Sequence, residues 1–242
     1  MSTMALTLTP IPGFESTAYA YSGGRVVWAG RDAVTDHPRN AWTPWQPDTT
    51  RFDTQRLQAG AQKCLGFLGA TPVPGLLLWL TGQALPFPLN HATARFDAIR
   101  AALERQDMHA FEAAAVRVLG LGNGLTPSGD DFVGGIFFAF AQTGNAQQTG
   151  QPPSWRTALP AVITRVRLAA KTATNPISAA LLDDLMAGSS YRALHEVLAA
   201  LHSGDAAVIN AANARLFKVG ASSGADMLAG LMLALLTLSP KH

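Results

Sequence analysis

Residues 120–131 read Gly-Leu-Gly-Asn-Gly-Leu-Thr-Pro-Ser-Gly-Asp-Asp, which puts flexible backbone, two hydroxyls and two carboxylates into one short stretch. Gly120, Gly122 and Gly124, with Asn123 between the last two, form a loop able to aim several backbone N–H groups at one ligand. Thr126-Pro127-Ser128 then leads into a helix start, where the aligned peptide dipoles favour an anion. Loop, dipole and the hydroxyls of Thr126 and Ser128 suit a phosphate or a carboxylate. Asp130 and Asp131, just after Gly129, would repel such a ligand unless a cation or a basic side chain intervenes. The two acids could hold Mg²⁺ or accept hydrogen bonds from an amide-bearing ligand. Lys218 is the natural candidate to balance them or to grip the anion, and its plainer reading is a solvated lysine at a helix end.

A fainter copy of this text, Val-Gly-Ala-Ser-Ser-Gly-Ala-Asp-Met-Leu-Ala-Gly, occupies residues 219–230. Ser128-Gly129-Asp130-Asp131 with Gly135 aligns on Ser223-Gly224-Ala225-Asp226 with Gly230, and each copy runs into an apolar stretch. A serine followed three residues later by an acid is also the capping-box pattern, so both copies have a purely structural reading. Gly135 and Gly230 lie four residues beyond Asp131 and Asp226, on the same helical face, where small residues let two helices cross closely. If they do, Ser222, Ser223 and Asp226 complete the ligand site from across the crossing.

Other chemistry is poorly supported. The glycines fit neither G-x-x-x-x-G-K-[ST] nor G-x-G-x-x-G, so no nucleotide-binding motif is present. His195 and His202 sit beside apolar positions and read as helix-flank residues rather than metal ligands. The single cysteine, Cys64, excludes an internal disulfide and reads as a small buried hydrophobe. Nothing resembles an activated nucleophile.

The elements that must position these residues follow from patterning over 242 residues. Charged residues make up only 14% of the chain, against the usual figure of roughly 25%, so much of the surface is neutral or covered by a partner. A net charge of +2 without long basic runs argues against nucleic acid. The opening residues lack a basic leader and a long apolar core, and the apolar runs are too short to span a bilayer, so a cytoplasmic protein is expected. Ala18–Tyr21 and Arg25–Trp28, around Ser22-Gly23-Gly24, predict a hairpin. The Pro/Trp-rich stretch from His37 to Thr50 predicts an irregular connection, residues 52–68 a helix, and the Leu76–Leu80 run a buried strand. From residue 91 the text is helical. Asp107, Asn175 and Asp205 are placed as N-caps, Gly120, Gly188 and Gly204 as stops, and Pro160 in a first turn. Residues 144–154 predict a flexible loop. The expected fold is mainly α: about eight helices including the two buried apolar ones (residues 91–242), after a small mixed α/β segment (residues 1–90), possibly as one continuous domain.

The motif Gly122-x-Gly124-Leu125-Thr126-Pro127-Ser128-Gly129-Asp130-Asp131 resembles the signature of a bacterial family similar to the small subunit of the three-component oxamate carbamoyltransferase of allantoin breakdown. Thr174 through Ser178 with Leu181-Leu182 and Gly188 resembles its second block; Gly220, Ser222, Ser223, Gly224, Asp226 and Gly230 match its third. The resemblance implies phosphorolysis of oxalurate to oxamate and carbamoyl phosphate, or a related carbamoyl transfer, in company with larger subunits or as a homo-oligomer. It implies Asp130 and Asp131 as catalytic groups. Ligand contacts would come from Gly122, Asn123, Gly124, Thr126, Ser128, Gly129, Thr174, Ser178, Lys218, Ser222, Ser223 and Asp226. A non-catalytic metabolite-binding or regulatory protein, and a structural scaffold subunit, are the alternatives the residues leave open.

Overall fold

The structure is a computed structural model that describes residues 9–10, 19–22, 25–28, 52–144 and 154–237. By packing, the chain divides into two compact units, Met1–Asp48 and Thr49–His242. In the first, β1 (Thr9–Pro10), β2 (Tyr19–Ser22) and β3 (Arg25–Trp28) form an antiparallel sheet in that order. Tyr19 pairs with Trp28 and Ser22 with Arg25, the register of the expected hairpin with its first strand set one residue later. The irregular connection expected over 37–50 and the loop over 144–154 fall almost wholly outside the described residues.

The second unit carries ten α-helices among its described residues: α1 (Thr54–Leu68), α2 (Leu77–Leu80), α3 (Thr93–Glu104), α4 (Met108–Val116), α5 (Ser128–Gly144), α6 (Ser154–Ala173), α7 (Pro176–Met186), α8 (Arg192–Ser203), α9 (Ala206–Leu216) and α10 (Ser223–Thr237). The fold is mainly α. Side chains cap four of these starts: Asp53 accepts from Arg56 N, Asp107 from Ala110 N, Asn175 from Ile177 and Ser178 N, and Asp205 from Ala207 and Val208 N. Each such cap is worth about 1 kcal/mol.

Helices α5 and α10 form the centre. Ser128 to Phe140 and Gly224 to Leu235 are buried without interruption, as expected of helices that are apolar on every side. Their backbones touch where the sequence places glycines: a methyl group at Gly135 would overlap the Met227 carbonyl, and one at Gly230 the Phe132 carbonyl. Helix α7 packs against α5, α1 and α2 against α10, and α8 and α9 against α1, while α3, α4 and α6 close the remaining side.

Two expectations are corrected. Leu76–Leu80 is a helical turn rather than a strand. With no strand among the described residues of its own unit to pair with, an extended segment would bury unpaired N–H groups. The turn satisfies them internally, Leu80 N donating to Leu76 O at 3.0 Å and Thr81 N to Leu77 O at 2.9 Å. Trp79 anchors it, packing edge-on to Phe132 at 5.7 Å and donating through Nε1 to Asp97 at 2.9 Å. Pro160 lies inside α6, beyond its first turn. The lost N–H bond is tolerated at the surface, where Thr164 Oγ1 donates to the Pro160 carbonyl at 3.0 Å.

Candidate functional site

At the start of α5, Asp130 N and Asp131 N both donate to the Pro127 carbonyl, at 2.9 and 3.2 Å, and Gly129 N donates to Leu121 O at 2.8 Å. Ser128 is therefore already within the first turn, and its hydroxyl is not the cap of its own helix. At α10, Asp226 N donates to Ser222 O at 2.9 Å, which likewise leaves Ser223 inside the helix. The capping-box reading of the two Ser-x-x-Asp copies is thus replaced. Backbone carbonyls close both helix starts, and the hydroxyls and carboxylates turn elsewhere.

The two adjacent acids of the first copy have different surroundings. Asp130 Oδ1 accepts from Gly120 N at 2.7 Å, and its Oδ2 from Thr174 Oγ1 at 2.5 Å and Ser178 Oγ at 2.6 Å. Burial pushes this carboxyl above its ordinary range, and the three donors oppose the shift. Asn175 reinforces the same junction: its Oδ1 caps α7 while its Nδ2 donates to Leu125 O at 2.8 Å. Asp130 and Asn175 thereby lash the glycine loop to the α6–α7 turn. They explain why Thr174 and Ser178 accompany the motif.

Asp131 and Asp226 face the crossing of α5 and α10. They are 4% and 0% exposed, and Oδ2 of each is buried without a hydrogen-bond partner. The hydroxyl of Ser223, on α10, holds Asp131 of α5, together with Thr126; Ser128 of α5 and Ser222 hold Asp226 of α10. Thr126 Oγ1 and Ser223 Oγ share a hydrogen bond of 2.7 Å. Ser128 and Ser223, the aligned serines of the two copies, therefore exchange partners, each serving the acid of the other helix, while Ser222 serves the acid of its own. Burial pushes the Asp131 carboxyl well up, and the neighbouring Asp226 charge adds to the shift. Asp226 is also raised by burial, against the opposing N–H of Leu76.

That N–H was not legible as part of the site. Leu76 N donates to Asp226 Oδ1 at 2.7 Å, presented by the left-handed Gly75 (φ +58°), where a side chain would strike the carboxyl itself. The sequence signal was present in the Pro72-Val73-Pro74-Gly75 punctuation. Its destination, a carboxylate 150 residues away, was not.

The remaining site candidates distribute around this centre. Gly122 adopts φ +121° directly against Ser128 N, while Asn123 and Gly124 are exposed at the loop tip. Gly129 serves packing, since a methyl there would overlap the Val118 carbonyl. Lys218 is exposed, and no ion pair among the described residues joins it to the three acids. No group of three or more His, Cys, Asp or Glu side chains among the described residues is arranged to hold a metal. His195 is buried edge-on to Phe138 at 4.9 Å, and Cys64 is buried, receiving a hydrogen bond from Asn213 Nδ2 at 3.2 Å. Both lie outside the site. No helix among the described residues is long and apolar enough to cross a membrane.

Chemically, the arrangement gathers polar groups at two abutting helix starts: two carboxylates, four hydroxyls and the Leu76 N–H. Residues 118–235 match the family model described as oxamate carbamoyltransferase subunit AllH, and over that stretch the chain resembles this subunit. The matched stretch contains both motifs and Thr174 to Ser178, but not Gly75 and Leu76. Neither the curated proteins nor the solved structures contain a match.

Proposed function

We propose, from the resemblance of residues 118–235 to oxamate carbamoyltransferase subunit AllH, that this chain is a subunit of a carbamoyl-transferring complex. In this reading the two helix starts bind its small anionic or amide ligand. The observation that carries the reading is the exchange of serines across the α5–α10 crossing, closed by the Thr126–Ser223 hydrogen bond. A capping role alone needs no such exchange, whereas a shared site requires both helix starts to face one point.

The chemistry asks little of the protein covalently. In carbamoyl transfer to phosphate, a phosphate oxygen attacks the carbamoyl carbon, the carbon–nitrogen bond breaks, and the departing amide nitrogen takes up a proton. Orientation and stabilisation of developing charge supply the acceleration. The hydroxyls of Thr126, Ser128, Ser222 and Ser223 orient the anion, and carboxylate oxygens accept from the amide. This agrees with the lack of an activated nucleophile among the site residues. The larger subunits of the complex are the expected partners.

Reconstitution with those subunits, followed by a carbamoyl-phosphate assay, tests the proposal. Asp131→Ala is expected to abolish turnover while leaving assembly intact; undiminished turnover in that variant overturns it. A metabolite-binding or regulatory role is favoured instead if the isolated chain is stabilised by carbamoyl phosphate, oxamate or oxalurate while the complex turns over normally with the variant.

A further inference from the structure

We propose that Asp131 and Asp226 together hold a hard divalent cation of the magnesium class, one carboxylate from each of the two central helix starts. Each acid has one buried oxygen without any hydrogen-bond partner, the two helix starts that carry them meet through the Thr126–Ser223 hydrogen bond, and the two carboxylates are close enough for the charge of Asp226 to act on Asp131. A buried carboxylate oxygen left unpaired is costly, and native interiors satisfy such groups with a donor, a water or an ion. No lysine, arginine or histidine makes an ion pair with either acid among the described residues.

The surrounding groups specify the kind of ion. Thr126, Ser128, Ser222 and Ser223 present hydroxyl oxygens around the two acids, with no thiol or imidazole among the groups that face them. An all-oxygen set selects hard cations over zinc or copper. Magnesium commonly takes only one or two carboxylates and completes its shell with water and substrate oxygens, so a third acid is not required. Asp130 is not a ligand in this scheme, because Gly120, Thr174 and Ser178 already occupy its oxygens.

Such an ion would also remove the repulsion that two carboxylates impose on an anion at these helix starts. That consequence, unlike the ion site itself, rests on the ligand reading proposed above.

The test uses the full chain, stripped with a chelator and titrated with Mn²⁺ followed by electron paramagnetic resonance, and with Mg²⁺ followed by thermal unfolding. The expected results are one saturable Mn²⁺ per chain, a Tm that rises with Mg²⁺ concentration, and at least tenfold weaker binding in both Asp131→Asn and Asp226→Asn. Circular dichroism confirms that each variant is folded, and two variants are used so that the misfolding of one leaves the other informative. Asp183→Asn, at an exposed acid paired with Arg167, is expected to bind as the native chain does. Absence of saturable binding to the native chain, or binding undiminished in a folded Asp131→Asn or Asp226→Asn chain, overturns the proposal. Because no substrate or partner subunit is involved, normal cation binding with absent carbamoyl transfer would reject the functional reading alone.

Discussion

Asp130 and Asp131 are neighbours in sequence with opposite predicted sensitivities. Asp130 accepts three hydrogen bonds that join the glycine loop to α7, so Asp130→Ala strands three donors and should cost about 3 kcal/mol or more in chemical denaturation. Asp131 is desolvated and its Oδ2 has no donor, so Asp131→Asn, which keeps the shape and an accepting oxygen and removes the charge, should leave stability unchanged or raised when no cation is present. The pH dependence follows from the same fact. The folded chain holds the Asp131 proton more tightly than the unfolded chain, whose carboxyl titrates near the ordinary 3.8. Its stabilisation is therefore complete below that value and is lost as pH rises through the raised folded value. In chelator, unfolding free energy should climb on acidification from neutral pH, by up to about 1.4 kcal/mol per pH unit for one such group. The slope should become shallower in Asp131→Asn; an identical profile in that variant would show that another group governs it.

At the scale of elements, the crossing of α5 and α10 depends on two residues that lack side chains. Gly230→Ala places a methyl into the Phe132 carbonyl, and backbone rather than a flexible side chain must yield. We expect a loss of about 3 kcal/mol, with the Thr126–Ser223 contact disrupted as the helices separate. Urea denaturation measures the first, and the Mn²⁺ titration reads the second as weakened binding. Asn175→Ala should cost about 1–2 kcal/mol through the α7 cap and additionally loosen the Leu125 carbonyl it holds. Hydrogen exchange over residues 120–126 should rise in that variant relative to α8, which none of the Asn175 side-chain hydrogen bonds reaches.

For the molecule as a whole, the described hydrophobic core is drawn from residues between Leu57 and Leu235, all within the unit Thr49–His242. Helix α1 and the Leu77–Leu80 turn both pack on α10. A chain beginning at Thr49 should therefore retain its helicity and melt cooperatively by circular dichroism. A chain beginning at residue 91 should not, because it removes the Leu76 N–H from Asp226 and exposes the faces of α8 and α10 that α1 covers. Cooperative melting of the shorter chain at an unchanged temperature would contradict this account of the core.

Much of this organisation was written in local text. The caps Asp107, Asn175 and Asp205, the glycine stop at Gly204 and the two apolar helices depend on residues a few positions apart, whose preferences act before any tertiary contact forms, and the small residues Gly135 and Gly230 marked where those helices could cross. The repeated Ser-x-x-Asp pattern was equally visible, but its meaning was not, because capping and cross-helix pairing use the same residue types at the same spacing. Only the packed structure decided that Ser128 serves Asp226 and Ser223 serves Asp131. Only it separated a saturated Asp130 from an unsatisfied Asp131, and turned Leu76 from an expected strand residue into a donor to Asp226. Those outcomes depend on which distant groups arrive at a buried oxygen, and burial, which sets both the hydrogen-bond demand and the charge of these acids, is a property of the assembled core.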